Sequence, residues 1–103
     1  GGAMAIKVLI KRHFKPDHLD TASQILIRAR YEAMKMAGYI ASETWQGLHD
    51  PSWVTVVSMW QSPEDWNHWY NSLQRRDLMM ELEKIMTEGE VIEPYAMGFQ
   101  QPV

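Results

Sequence analysis

The sequence predicts one α+β domain: a four-stranded antiparallel sheet with helices packed on one of its faces. Three observations point there. Four segments have strand character, with apolar residues alternating or clustering over short runs. Two longer segments repeat apolar residues at intervals of three and four. The segments follow one another as β-α-β-β-α-β, and 103 residues suffice for one such unit but not two.

The first strand covers residues 5–14. Ile6, Val8 and Ile10 take one face, and Lys7, Leu9, Lys11 and His13 take the other. Lys15-Pro16-Asp17 breaks the strand, and Asp17 is the expected N-cap of the next element. Leu19, Ala22, Leu26, Ala29, Ala33 and Met36 form one apolar helix stripe, which Gly38 ends. The second strand, 39–47, has Tyr39 and Trp45 on one face and Ile40 on the other. A turn at Leu48-His49-Asp50-Pro51-Ser52 leads into the third strand, 53–61, and the two strands make a hairpin.

Ser62-Pro63-Glu64-Asp65 reads as a helix start. Serine caps, proline fits the first helical position, and the acids suit the positive end of the helix. Trp66, Trp69, Tyr70 and Leu73 continue at helical spacing. Asn71-Ser72 marks a kink, with Ser72 capping a second piece that carries Leu78, Leu82, Ile85 and Met86. Gly89 ends that piece. The last strand, 91–99, has Val91, Tyr95, Met97 and Phe99 on one face, and Pro94 marks an edge-like position.

This order is the split βαβ, or ferredoxin-like, arrangement. Its helices cover one sheet face, and the other face is polar where it meets water. Here Trp53, Val57 and Met59 oppose Val54, Val56 and Trp60 along the third strand, so both faces carry apolar groups. No spare element remains to cover the second face. The expected assembly is therefore a homodimer in which two sheets face each other as an α/β barrel.

Composition excludes several classes. The net charge is -3, and the basic residues are scattered apart from Lys11-Arg12 and Arg75-Arg76, which argues against a nucleic-acid surface. The chain has no cysteine, so disulfides and thiolate metal sites are excluded. His13, His18, His49 and His68 fall on different elements without a helical His pair, so no metal is expected. No glycine-rich phosphate loop or nucleophile elbow is present. No segment reaches the roughly 18 apolar residues of a membrane helix. With no signal peptide in view, a cytoplasmic location is expected. Gly1, Gly2 and Ala3 ahead of Met4 read as an expression remnant, so the domain is expected to span 4–103. Five tryptophans and eight methionines serve either as core bulk or as pocket lining.

At Gly38-Tyr39-Ile40-Ala41-Ser42-Glu43-Thr44, and at Val57-Ser58-Met59-Trp60-Gln61-Ser62-Pro63-Glu64-Asp65-Trp66 running on to Trp69-Tyr70-Asn71-Ser72, the chain resembles the antibiotic biosynthesis monooxygenase domain family. The resemblance implies a dimeric α+β barrel. It also implies one of several activities: cofactor-independent oxidation of polycyclic phenols, quinol oxidation, or haem degradation. Trp69 resembles the helix tryptophan that shapes the ligand pocket. Met79 stands near the place of the haem degraders' iron-ligating histidine, and Lys11 at the place of their first-strand asparagine. Haem is therefore disfavoured as a cofactor. Asp65 stands where the polyketide branch has an asparagine, and Arg75 near the place of its tyrosine.

Oxygenation without a cofactor needs a base, a dry apolar pocket and donors for the developing anion, with molecular oxygen as co-substrate. The candidate catalytic residues are His68, Asp65 and His13. Histidine titrates near neutrality, though His68 and His13 serve equally as surface residues, and Asp65 as a helix-start charge. The candidate substrate-binding residues are Trp69, Trp66, Tyr70, Lys11 and Arg75. The three aromatics would read the same as core, and Lys11 with Arg12 offers cations for an anionic ligand group. The leading reading is a monooxygenase of an aromatic or quinol-like small molecule in an apolar pocket between helices and sheet. Its rivals are a non-catalytic small-molecule-binding or stress-response dimer and a haem-binding or haem-degrading protein.

Overall fold

The structure is a computed structural model and describes residues 4–99. The leading Gly1-Gly2-Ala3 and residues 100–103 lie outside the described residues. Strand β1 is Ile6–His13, and a 3-10 turn at Pro16–His18 leads into helix α1, Leu19–Met34. Strands β2, Tyr39–Gln46, and β3, Trp53–Trp60, form the hairpin. Helices α2, Pro63–Tyr70, and α3, Leu73–Glu83, precede strand β4, Val91–Ala96. The sheet runs in the order β2-β3-β1-β4, and all three pairings are antiparallel. This is the expected ferredoxin-like α+β fold with the second helix in two pieces.

The strand alternation is realised as read. Ile6, Val8, Ile10 and Phe14 are buried on the inner face, beneath the helices. Lys7, Leu9, Lys11 and His13 lie on the outer face, opposite Met59, Val57, Thr55 and Trp53. The kink at Asn71-Ser72 is also present. Ser72 caps α3 by accepting from the Arg75 backbone N–H at 3.2 Å, and Ser62 caps α2 by accepting from that of Asp65 at 3.2 Å.

Four expectations are corrected. Helix α3 ends at Glu83 and not at Gly89, so Ile85 and Met86 lie past the helix although both are buried. Asp17 does not cap α1. Pro16 opens a 3-10 turn that contains Asp17, whose carboxylate pairs with the His18 ring at 2.8 Å, and α1 begins without a side-chain cap. Tyr39 and Trp45 do not share a face. A bulge between Tyr39 and Ala41 shifts the phase, so Tyr39 faces inward on Trp60 while Trp45 sits opposite Thr55 on the outer face. The last strand stops at Ala96 instead of Phe99, because Ala96 pairs with Ile6, where β1 itself begins.

The core is split in two. One cluster gathers Phe14, Ile25, Val54, Leu78, Leu82 and Ile85 under α1 and α3. The other gathers Val8, Ile10, Ala33, Trp60, Trp66 and Trp69 under α1 and α2. Gly38 joins α1 to β2 at the second cluster with φ of 84°, and a Cβ there would lie 2.1 Å from the Asp65 carboxyl carbon. Both the backbone and the space demand glycine. Gly38→Ala should therefore cost about 2 kcal/mol or more, read by urea unfolding. An unchanged midpoint would contradict this close approach of the loop to α2.

Candidate functional site

A cavity lies at the seam between the two core clusters. Ile10, Ala33, Trp60 and Trp69 line it from one cluster, and Leu78 and Leu82 from the other. Its free volume is about 60 Å³. Two wider grooves flank it. One, of about 760 Å³, runs between α3 and the segment leading into β4, and shares Arg75 and Met79 with the cavity. The other, of about 420 Å³, lies beside α1 and shares Leu26, Arg30 and Thr44 with it.

Apart from Arg30, which reaches the seam from the exposed face of α1, its polar groups fall on two sides. On the β2–β3 side stand Tyr39, Ser42, Thr44 and Ser58. The Tyr39 and Ser42 hydroxyls are 2.7 Å apart, and Ser58 Oγ accepts from Trp60 Nε1 at 3.0 Å. The β2 bulge turns Tyr39 and Ser42 to the same inner face, which brings these two hydroxyls together.

On the β1–α3 side stand Arg12 and Arg75, 5% and 8% exposed. Arg12 continues the inward phase of Ile6, Val8 and Ile10, so its guanidinium enters the seam. Arg75 is in the first turn of α3, set there by the Ser72 cap. Both reach for Glu90, just ahead of β4. Arg75 Nη2 donates to Glu90 Oε1, and Arg12 Nη2 lies 3.7 Å from Oε2. Arg75 also stacks on Tyr70 at 4.7 Å and on Trp66 at 5.8 Å from the ring centres.

Arg12 is poorly matched to its surroundings. Its Nη2 donates to the Met79 thioether at 3.4 Å, a weak acceptor, and its Nε has no partner among the described residues. Burial pushes its guanidinium down to about 10, with Glu90 opposing that shift and Arg75 adding to it. It stays charged at neutral pH. Two guanidiniums thus share one carboxylate, which leaves one buried positive charge in excess, and the exposed Arg30 adds another at the cavity's edge.

Comparison with known proteins places this geometry. The model of the antibiotic biosynthesis monooxygenase family matches residues 5–79, well over half of the chain. The chain belongs to this family. No curated protein matches it closely. Among solved structures, a conserved protein from Methanosarcina mazei Go1 is 21% identical with a TM-score of 0.84, over 89% of this chain and 91% of that one. A Nitrosomonas europaea protein, provisionally described as an antibiotic biosynthesis monooxygenase, is 11% identical with a TM-score of 0.85, over 93% and 91%. A mutant of SnoaB, a cofactor-independent oxygenase from Streptomyces nogalater, is 8% identical with a TM-score of 0.82, over 98% and 100%. These likenesses bear on the fold that the family shares.

Within this family member the sequence candidates separate. Trp69 and Arg75 line the cavity. Trp66 is buried behind it against Trp60, and Tyr70 lines the α3–β4 groove beneath Arg75. Asp65 is held in the α2 cap, where its carboxylate accepts from Ser62 Oγ at 2.9 Å. His68 is exposed on α2 and lines none of these hollows, because it falls between the buried Trp66 and Trp69 positions and off their stripe. Lys11 and His13 are on the outer face, on the far side of the sheet from the cavity. Lys11 pairs there with Glu93 at 2.8 Å, which raises its pKa. The His13 ring bridges Asp50 at 3.1 Å and Thr87 at 2.8 Å. The backbone N–H of Ser52 and the His13 ring together lower the Asp50 pKa.

Glu90 and the inner hydroxyls were not among the site candidates, and Arg12 was named only beside Lys11 as a cation for an anionic ligand group. The signal for Arg12 was a charge at an inward strand position, whereas nothing in the local pattern marked Glu90. Among the described residues no group of three or more His, Asp or Glu side chains is placed to hold a metal. The cavity lining contains no histidine to ligate a haem iron. No helix among the described residues is long and apolar enough to cross a membrane.

Glu90 is what makes two buried guanidiniums tolerable. Glu90→Gln should lower stability by about 3–5 kcal/mol, measured by urea unfolding. A loss within the error of the wild-type value would show that the arginines are solvated without it.

Proposed function

We propose that the chain is a monooxygenase of an electron-rich phenol or hydroquinone, working in the seam cavity with molecular oxygen and no bound cofactor. The observation that carries this reading is the excess positive charge buried beside Trp69. A phenolate is favoured over the phenol near such a charge, the more so where water is excluded. Of the paired Tyr39 and Ser42 hydroxyls one donates to the other, and the second is left to donate to the phenolate oxygen as it forms. No carboxylate or imidazole of the cavity wall is available as a base, so the substrate ionises against the field of the arginines, and its proton leaves to water. The family assignment and the fold shared with SnoaB support the reaction class.

The electrons balance without a reductant. The phenolate gives one electron to oxygen, and the resulting superoxide combines with the phenoxyl radical at a hydrogen-bearing carbon ortho or para to the oxygen. Protonation leaves a hydroperoxide on that carbon. Loss of water then leaves a quinone, with one oxygen atom in the product and the other in the water. Trp69 supplies the flat apolar wall against which the ring lies.

The protein works as a homodimer. On the outer face Trp45, Trp53, Val91 and Tyr95 are all 42–52% exposed, and a second copy is the economical cover for so much apolar surface. Sedimentation velocity at micromolar concentration should give a dimer; a stable monomer would contradict that arrangement.

Oxygen uptake with a panel of hydroquinones tests the activity. Enzyme-dependent uptake should fall by about tenfold or more in Trp69→Ala. It should persist in His68→Gln, since His68 is exposed. Uptake no greater than buffer across the panel would leave a binding protein and remove the oxygenase.

A further inference from the structure

We infer that the seam cavity is built for a substrate that carries a carboxylate of its own, bound at Arg12 in the place the Met79 thioether now fills. The inference rests on the oxygenase reading for the ring chemistry but on separate atoms for the charge.

Arg12 is the side chain that needs explaining. It is 5% exposed and lines the cavity, and its Nε is unpartnered among the described residues. A buried guanidinium ordinarily has its donors satisfied, usually by a carboxylate held by two parallel bonds. Glu90 does not do this for Arg12. Its Oε1 accepts from Arg75, and its Oε2 stands 3.7 Å from Arg12 Nη2, beyond hydrogen-bond reach. What Arg12 has instead is a thioether at 3.4 Å. Met79 is flexible, with three rotatable side-chain bonds, and gives way at little cost. It lines both the cavity and the α3–β4 groove, so moving it aside joins about 60 Å³ to about 760 Å³. Without that movement the seam is too small for any aromatic substrate.

The ligand's shape follows from the sheet. The hydroxyls of Tyr39 and Ser42 stand on β2, and Arg12 stands on β1, with β3 between them. Two strand spacings and a register offset of four residues set the Ser42 and Arg12 backbones about 16 Å apart, and the long Arg12 side chain closes part of that gap. A phenolic ring that carries a carboxylate places its charge at Arg12 and its hydroxyl on the side of Tyr39 and Ser42, beside Trp69, all of which line the one cavity. The incoming carboxylate pairs with the charge left over by the Arg12–Glu90–Arg75 cluster, and Arg30, the third arginine of the lining, remains to favour the phenolate. Arginine keeps its charge, at about 10 even after burial.

The test is an equilibrium titration under argon, so that binding is read without turnover. The probes are 2,5-dihydroxybenzoate, its methyl ester and its amide, followed by tryptophan fluorescence. The acid should bind tighter than either neutral analogue by about tenfold or more. That preference should vanish in Arg12→Gln and return in part in Arg12→Lys. It should also survive added salt, because buried pairs are weakly screened whereas surface lysines are not. With methyl-labelled methionine, the acid should shift the Met79 resonance, assigned from Met79→Leu.

Equal binding of acid and ester overturns the inference, as does no binding of either. A preference that persists in Arg12→Gln, or that disappears in salt, overturns it too. The comparison of ligands on the wild-type chain stands even where a variant fails to fold. Oxygen uptake is scored separately. Acid-selective binding without uptake keeps the subsite and removes the oxygenase. Uptake without acid preference does the reverse.

Discussion

One carboxylate shared by two buried arginines organises the inside of this protein. Glu90 holds Arg75 by a charged hydrogen bond and Arg12 by proximity, beside a seam whose walls are largely aliphatic and indole surface with the β2–β3 hydroxyls on the far side. Isolated, either guanidinium would be costly there. Together with Glu90 they are tolerable but not neutral. The cluster reaches across the fold, because its members come from β1, the first turn of α3 and the segment ahead of β4. Much of the local structure serves its placement. The alternation of β1 turns Arg12 inward, the Ser72 cap starts α3 where Arg75 can reach Glu90, and Trp66 with Tyr70 gives the Arg75 guanidinium a flat surface to lie on.

The same cluster explains why the core is divided. A continuous apolar core would bury the arginines without relief. Instead two clusters close off the ends, and a narrow cavity remains between them. The cavity is polar on its two sides and apolar along its length. A ligand that is charged at one end and hydroxylated at the other fits that division, and a low-dielectric wall strengthens each charge it meets. Oxygen chemistry on a phenolate asks little more of a protein than this: a stabilised anion, a dry ring and room for a small diatomic.

The fold was legible in the sequence because its signals are periodic. Ile6, Val8 and Ile10 alternate, the α1 stripe repeats at helical spacing, and Ser62 and Ser72 both cap where they were read to cap. The errors arose where one residue changes phase. The bulge after Tyr39 adds a residue to β2, and Pro16 starts a 3-10 turn before α1. The site was legible only in part. Trp69 and Arg75 were found from family resemblance. Lys11 was preferred as the cation for a ligand, although Arg12 holds the inward phase one residue later. Glu90 lies in a connection with no pattern, and its importance comes from contacts that span the chain. His68 and His13 attracted notice for their chemistry, but one is exposed and the other faces away from the cavity.

A crystal structure of the chain with 2,5-dihydroxybenzoate, grown under argon, tests the central claim most directly. The account predicts the ring beside Trp69, its carboxylate on Arg12, its phenol toward Tyr39 and Ser42, and the Met79 thioether swung into the α3–β4 groove. Density for the ligand on the outer face of the sheet, or in a groove with Met79 still against Arg12, would contradict it.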